Sequence, residues 1–320
     1  MKIKSKRFIS LFLFNIMLLC TVSCSSPKSG ESICVNAETL FHADLVFHIL
    51  NYINLKDSPA NLYSVDYISE FEEYKLVHGF ESSLLKDAQN LEAAYKDYFN
   101  EVNTIMFDAF DYSTYEDMVE NLKNNTTYSY DAKEKFIKPF ISCMDKEKDI
   151  YKQYWDDEIK KNQKNMDSFL LYFQNNISPV EKVFTYTNKN ALLYLCVSLN
   201  NKGRGIRRND TLCAAIYIPK NENQQTAGFF QAFHEMTHQF TDRSILEYIS
   251  MEDESHSLSE TIVWKTDYFL FQHVKDEYLQ WAADCAGVSN ATENDFLEFY
   301  ELPDEYEEKI QNLLSAINSQ

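Results

Sequence analysis

"GFFQAFHEMTHQFTDR" (residues 228–243) sets two histidines four apart, with a glutamate beside the first. In an α-helix, positions i and i+4 stand one turn apart on the same face. His234 and His238 are therefore placed to bind one tetrahedral Zn²⁺ through ring nitrogens, with bonds of ~2.0–2.1 Å. Glu235 is rotated around the helix, off the ligand positions but within reach of a water at the metal. Zinc lowers the pKa of such a water towards neutrality, and the carboxylate takes its proton as it attacks a carbonyl. Phe229, Phe233, Met236 and Phe240 recur at helical intervals and anchor the same helix in a core. With seven histidines in 320 residues, the pattern arises by chance in only about one such chain in a hundred. The competing reading is a buried helix whose histidines are satisfied by hydrogen bonds.

The flanking sequence supplies a context for the helix. "NALLYLCVSLN" (190–200) and "TLCAAIYIP" (211–219) are apolar runs rich in strand formers, joined by "NKGRGIRRND", which reads as a turn. Apolar residues fall on both faces of each run, so both strands should be covered on both sides. A polar loop, "KNENQQTAG", then leads into the histidine helix. Catalytic zinc takes three protein ligands and keeps one position open. In "SMEDESHSLSETIVWKTDYFLFQHV" (250–274), Glu260 lies on a second helix whose buried side carries Leu258, Ile262 and Phe269. Glu260 is the expected third ligand, with Glu254 and His256 as alternatives. His256 or Asp267 is placed to steady a ligand imidazole instead. Tyr248, Tyr268 and His273 follow the motif and are the candidates to hold a developing oxyanion.

His234-Glu235-Met236-Thr237-His238 followed by Glu260 resembles the gluzincin metallopeptidases, the thermolysin-like group, over roughly residues 190–275. The arrangement is also similar to bacterial envelope lipoproteins with this core and a long helical N-terminal region. The resemblance implies that His234, His238 and Glu260 bind zinc and that Glu235 is the base. It also implies an upstream strand, here residues 211–218, that pairs with an extended substrate. Many gluzincins carry an aspartate four residues after the ligand glutamate, where this chain has Trp264.

The N-terminal "MKIKSKRFISLFLFNIMLLCTVSCSSPKSG" reads as an export signal: a basic start, a short apolar stretch, then a small residue before Cys24. That end resembles the lipobox of bacterial lipoproteins, so residues 1–23 are expected to be removed and Cys24 lipidated. The protein would then sit in the bacterial cell envelope, outside the cytoplasm, held to a membrane by its lipid. After removal of the signal, 26 Lys and Arg remain against 49 Asp and Glu, a net charge of −23. Such a surface repels nucleic acid and anionic lipid, which excludes a nucleic-acid partner. The cysteines form no C-x-x-C pair, so no cysteine-based zinc or redox motif is present.

The expected fold is α+β and predominantly helical. A tether (24–36) leads to a helical region (37–178) rich in Tyr and Phe. A zincin-like metallopeptidase core (179–320) follows, with a small sheet and an active-site helix pair. Within the helical region, His42, His48 and His78 read as core or surface residues, and Pro139 interrupts a helical stretch over 129–176. The expected function is a zinc-dependent peptidase acting on a peptide or protein. Two rivals are an envelope binding module with a structural or lost metal site, and a structural lipoprotein without metal.

Overall fold

The two apolar runs after residue 189 become the parallel strands at the centre of the sheet. In the computed structural model, which describes residues 33–53, 65–80, 84–200, 202–246, 253–288 and 292–320, the chain is α+β and mostly helical around a small four-stranded mixed sheet. The export signal, Cys24, the tether up to residue 32 and Tyr248 lie outside the described residues. The strands are β1 (Val35–Glu38), β2 (Asn190–Cys196), β3 (Gly203–Arg207) and β4 (Thr211–Tyr217), in the order β1-β2-β4-β3. β2 pairs in parallel with β4 from Asn190↔Thr211 to Cys196↔Tyr217, and β3 closes the sheet antiparallel to β4.

Three expectations are corrected here. The supposed turn "NKGRGIRRND" contains a strand, β3, and the end of the supposed tether is another, β1, parallel to β2. Neither "GRGIR" nor "VNAE" has the apolar content of a strand. Pairing with the apolar ladder beside each imposes the extended state, overriding weak local preference. Residues 211–218 cannot pair with a substrate, because β4 is flanked on one side by β2 and on the other by β3. The edge nearest the histidine helix is β3.

The helices are α1 (Phe41–Tyr52), α2 (Val65–Val77), α3 (Leu84–Asp97), α4 (Tyr115–Asn124) and α5 (Lys138–Asn176), with short turns between α3 and α4. After them come α6 (Glu181–Thr187), α7 (Glu222–Ile245), α8 (Asp253–Leu270), α9 (Lys275–Ala286), α10 (Glu293–Phe299) and α11 (Asp304–Asn318). The sheet separates two cores. Tyr194, Cys196, Ile206, Cys213, Ala215 and Tyr217 face α1, α3 and the first half of α5. Leu193, Leu195, Leu212, Ala214 and Ile216 face α7, α8 and the C-terminal helices. Pro139 lies inside a continuous helical run from Tyr130 to Asn176, and the π-helical turn at Lys133–Ile137 just before it accommodates the ring, so the expected interruption is a local bulge and not a break. α5 then runs 39 residues, or about 58 Å, so that Phe140 to Trp155 join the first core while Met166, Phe169 and Phe173 join the second. A single helix thus braces both layers.

α1 is buried on every side beyond Phe41, and its polar residues are all engaged. The Asp44 carboxylate accepts from the backbone N–H of Val197 (2.7 Å) and Ser198 (2.9 Å), from the Ser198 hydroxyl and from the Trp155 indole (2.8 Å). It thereby pins the segment between β2 and β3 and fixes where the edge strand begins. His48 stacks on Tyr151 and bonds Tyr67, His42 bonds the Tyr112 carbonyl, and His78 lies at the surface.

Candidate metal centre

α7 starts at Asn221, whose side chain accepts the Gln224 N–H at 3.0 Å and caps the helix. From two turns on, Phe229, Phe233, Met236 and Phe240 are all buried in the second core. Phe233 meets Phe271 of the turn after α8, with ring centres 5.0 Å apart. This stripe fixes the rotation of α7, and His234 and His238 are left facing α8.

Glu260 of α8 comes down between them. Its Oε2 is 3.5 Å from His234 Nε2, and its Oε1 is 3.4 Å from His238 Nε2. Among the described residues these three form the one group able to hold a metal, with ligand atoms all within 4.8 Å of one another. The side chains of the alternatives, Glu254 and His256, lie outside the described residues.

Each imidazole is oriented through its other nitrogen. His234 Nδ1 donates to Asp267 Oδ2 at 2.9 Å, and the other oxygen of Asp267 accepts from the Thr237 hydroxyl at 2.5 Å. Asp267 is fully buried, seven residues after Glu260 and so two turns along the same face of α8. It holds the His234 ring from position 267, and position 264 is a tryptophan. Trp264 instead lies against the His234 ring, centres 4.4 Å apart, and Trp281 backs it at 5.0 Å. His238 Nδ1 faces Ser259 Oγ (3.3 Å) and Asp242 Oδ1 (3.6 Å), which are themselves bonded at 2.7 Å. With Nδ1 of both rings turned to an oxygen acceptor, both Nε2 atoms are presented to the Glu260 side.

The charges interlock. Burial alone would lower the pKa of His234, but its hydrogen bond to Asp267 and the nearby Glu260 carboxylate prevail and lift it to about 9. Burial likewise opposes charge on His238, and Asp242 and Glu260 overcome it, so its pKa is raised too. Burial works against ionised Glu260, yet the two imidazoles hold it far below the carboxylate range. Asp267 is pushed up by burial against the pull of His234. Glu260 and Asp267 thus demand positive charge at one point, and either protons on the rings or a divalent cation supplies it.

Glu235 lies beside this group under the edge strand. Its Oε1 accepts from Gln231 Nε2 at 2.8 Å. β3 passes directly over it, and only glycine fits there. A Cβ on Gly203 would sit 2.9 Å from Glu235 Cγ, and one on Gly205 would sit 2.6 Å from the Glu235 carbonyl oxygen.

Of the residues expected to hold an oxyanion, Tyr268 is turned away, its hydroxyl donating to Glu293, and His273 is exposed beyond the end of α8. The structure brings two other residues near the centre. Tyr300 stacks on Trp264 at 5.4 Å, and Arg204 of β3 feels the charges of Glu235 and Glu260. The Gly-Arg-Gly-Ile alternation was the available signal for Arg204. No signal short of tertiary packing pointed to Tyr300. No protein-family model, curated protein or solved structure matches the chain.

Proposed function

We propose that this chain is a zinc-dependent metallopeptidase of gluzincin type with a zincin-like core, in which His234, His238 and Glu260 hold the metal and Glu235 is the general base. The observation that carries the reading is the convergence of both Nε2 atoms on the Glu260 carboxylate, one ligand atom from each of the three residues lying within 4.8 Å of the others. Around a tetrahedral ion with bonds of ~2.0–2.1 Å, neighbouring ligand atoms stand about 3.3–3.4 Å apart. His234 Nε2 stands 3.5 Å from Glu260 Oε2 and His238 Nε2 stands 3.4 Å from Glu260 Oε1, so the rings approach the two oxygens of one carboxylate. Both separations are longer than the usual ~2.7–3.2 Å of an N–H···O hydrogen bond, which leaves the rings and the carboxylate spaced for a cation between them.

Zinc, when bound there, supplies a Lewis acid that makes water a nucleophile at neutral pH. The chain's own residues do the rest. Asp267 keeps the His234 proton on Nδ1, and Ser259 with Asp242 does the same for His238. Gln231 holds the Glu235 carboxylate in one orientation, from which it receives the proton of the attacking water and passes it to the leaving amine. Packing under β3 keeps Glu235 shielded from bulk water. An extended peptide adds along the outer edge of β3, its carbonyl brought to the Glu235 side. Lipidation at Cys24 would hold the enzyme to a bacterial envelope membrane outside the cytoplasm, with peptides or proteins as substrates.

The test is Glu235→Gln in the exported, zinc-loaded chain, assayed on an unfolded protein substrate. The substitution should leave zinc content unchanged and cut turnover by ~10²–10⁴-fold, the usual worth of a general base. Undiminished turnover, or loss of the metal with the carboxylate, would refute the assignment.

A further inference from the structure

β2 and β4 run in parallel and end side by side at Cys196 and Tyr217, and the chain leaves them in opposite directions. The segment after β2 is held by Asp44 against the first core, whereas the segment after β4 leads through Ile218 into α7 and the second core. A cavity of about 200 Å³ opens where they part, at the carboxyl ends of parallel strands, a usual place for a ligand crevice. α5 closes one side of it at the stretch where that helix passes from one core to the other. Tyr154, Glu158 and Asn162, each about a turn on from the last, all line the cavity. Tyr67 and Tyr154 wall it with rings 6.3 Å apart and inclined at 62°. Tyr154 is only 7% exposed, yet its hydroxyl has no hydrogen-bond partner among the described residues. Burial raises the Tyr154 pKa, and Glu158 and Glu70, which both line the cavity, raise it further, so the hydroxyl stands on the cavity side. At the mouth the half-exposed Asn200 side chain is unengaged among the described residues, and Gln224 uses only its Oε1, which accepts the Lys220 N–H at 2.7 Å. Glu70 and Lys220, exposed on the rim, carry opposite charges, and Glu158 is paired with Lys161 at 2.7 Å, so these charges cancel.

We propose that this cavity binds one uncharged sugar ring. A hydroxyl buried beyond nine-tenths calls for a partner, and a ligand hydroxyl that both donates and accepts supplies it. The amide and phenol groups around the space offer donors and acceptors side by side, as a ring of hydroxyls requires. With the charges cancelled, neither an organic cation nor an anion gains a net attraction there. The face of a tyrosine ring is its negative side and receives the C–H groups of a sugar's apolar face. At ~30 Å³ of liquid per water, the cavity has room for roughly seven waters, about the bulk of one pyranose and short of an oligosaccharide. The site is separate from the metal centre, because Gln224 and His234 lie ten residues apart on α7, or about 15 Å.

The experiment uses the exported full chain in saturation-transfer NMR titrations. The probes are the methyl glycosides of glucose, galactose, mannose and N-acetylglucosamine, with choline as cationic and alanine as zwitterionic control. At least one glycoside should bind with a Kd of about 1 mM, the range for a ligand of about a dozen heavy atoms, and more tightly than either control. Tyr154→Phe keeps the ring and removes only the hydroxyl. It should weaken that glycoside ~3- to 10-fold, the worth of one neutral hydrogen bond, at an unchanged melting temperature. Asn200→Trp, which sets a bulky ring at the mouth from a half-exposed position, should abolish binding in a protein that still melts cooperatively. Chelating the zinc should change nothing, so this site and the hydrolase reading fail separately. The proposal is overturned if no glycoside binds at ~10 mM or if choline or alanine binds more tightly. An affinity that either variant leaves unchanged, or that disappears with the zinc, overturns it too.

Discussion

Replacing Asp267 by Asn removes the charge that steadies His234 while keeping the side chain's shape. In the native protein one oxygen takes the His234 Nδ1 proton at 2.9 Å and the other the Thr237 hydroxyl at 2.5 Å, both in full burial. The Thr237 hydroxyl has a second acceptor in the Phe233 carbonyl at 3.0 Å, so it is not orphaned. The loss therefore falls on the imidazole. Removing such an outer partner of a metal-bound histidine costs ~10- to 100-fold in metal affinity. At about 1.4 kcal/mol per decade, that is about 1.4–2.8 kcal/mol. Competition with a chromophoric zinc chelator measures it, and thermal melting of the metal-free protein reports any loss of fold separately. Thr237→Val, which leaves the His234 bond in place, should weaken zinc far less. Unchanged zinc affinity in a folded Asp267→Asn protein would show that Asp267 does not orient a ligand.

Three other outcomes follow from the same contacts. In metal-free protein His234 has its pKa raised from 6.5 to about 9, so its contribution to stability is fully present below pH 6.5 and lost as pH rises through 9. The melting temperature of the metal-free form should fall across that window, while the increment from added zinc, which needs neutral rings, should grow; an increment that shrinks with pH refutes this. Gly205→Ala forces a Cβ to within 2.6 Å of the Glu235 carbonyl oxygen, so the edge strand must lift, at about 1–3 kcal/mol in urea unfolding together with a fall in kcat/KM. Asp44→Ala orphans the Val197 and Ser198 N–H groups and the Trp155 indole, and a loss of roughly 3 kcal/mol or more is expected from urea melts. A loss within error would mean that this buried carboxylate is not what secures the segment before β3.

The parts of the site legible in the sequence are those set by spacing within one helix. His234 and His238 one turn apart, the Phe229-Phe233-Met236-Phe240 stripe and the second helix with Glu260 and Asp267 all follow from a 3.6-residue period. The central strands were equally plain, because apolar residues on both faces leave little choice. What could not be read is what arises only between segments. "VNAE" and "GRGIR" are strands because β2 and β4 offer them hydrogen bonds, not because of their own composition. The split at residue 178 gave no hint that α5 would serve both cores, since a 39-residue helix changes partners midway without changing its period. The Tyr268 reading failed on a hydrogen bond to Glu293, 25 residues away, which turns its hydroxyl from the centre. Arg204 was passed over because a turn was assigned where a strand runs.

The most direct measurement of the central claim is X-ray absorption at the zinc edge on the exported full chain, paired with the Glu260→Ala variant. The account predicts one zinc per chain, with two imidazole nitrogens at ~2.0–2.1 Å and a carboxylate oxygen at ~2.0–2.2 Å, the oxygen being lost in the variant. A chain that takes up no stoichiometric zinc, or keeps an unchanged coordination shell without Glu260, would contradict it.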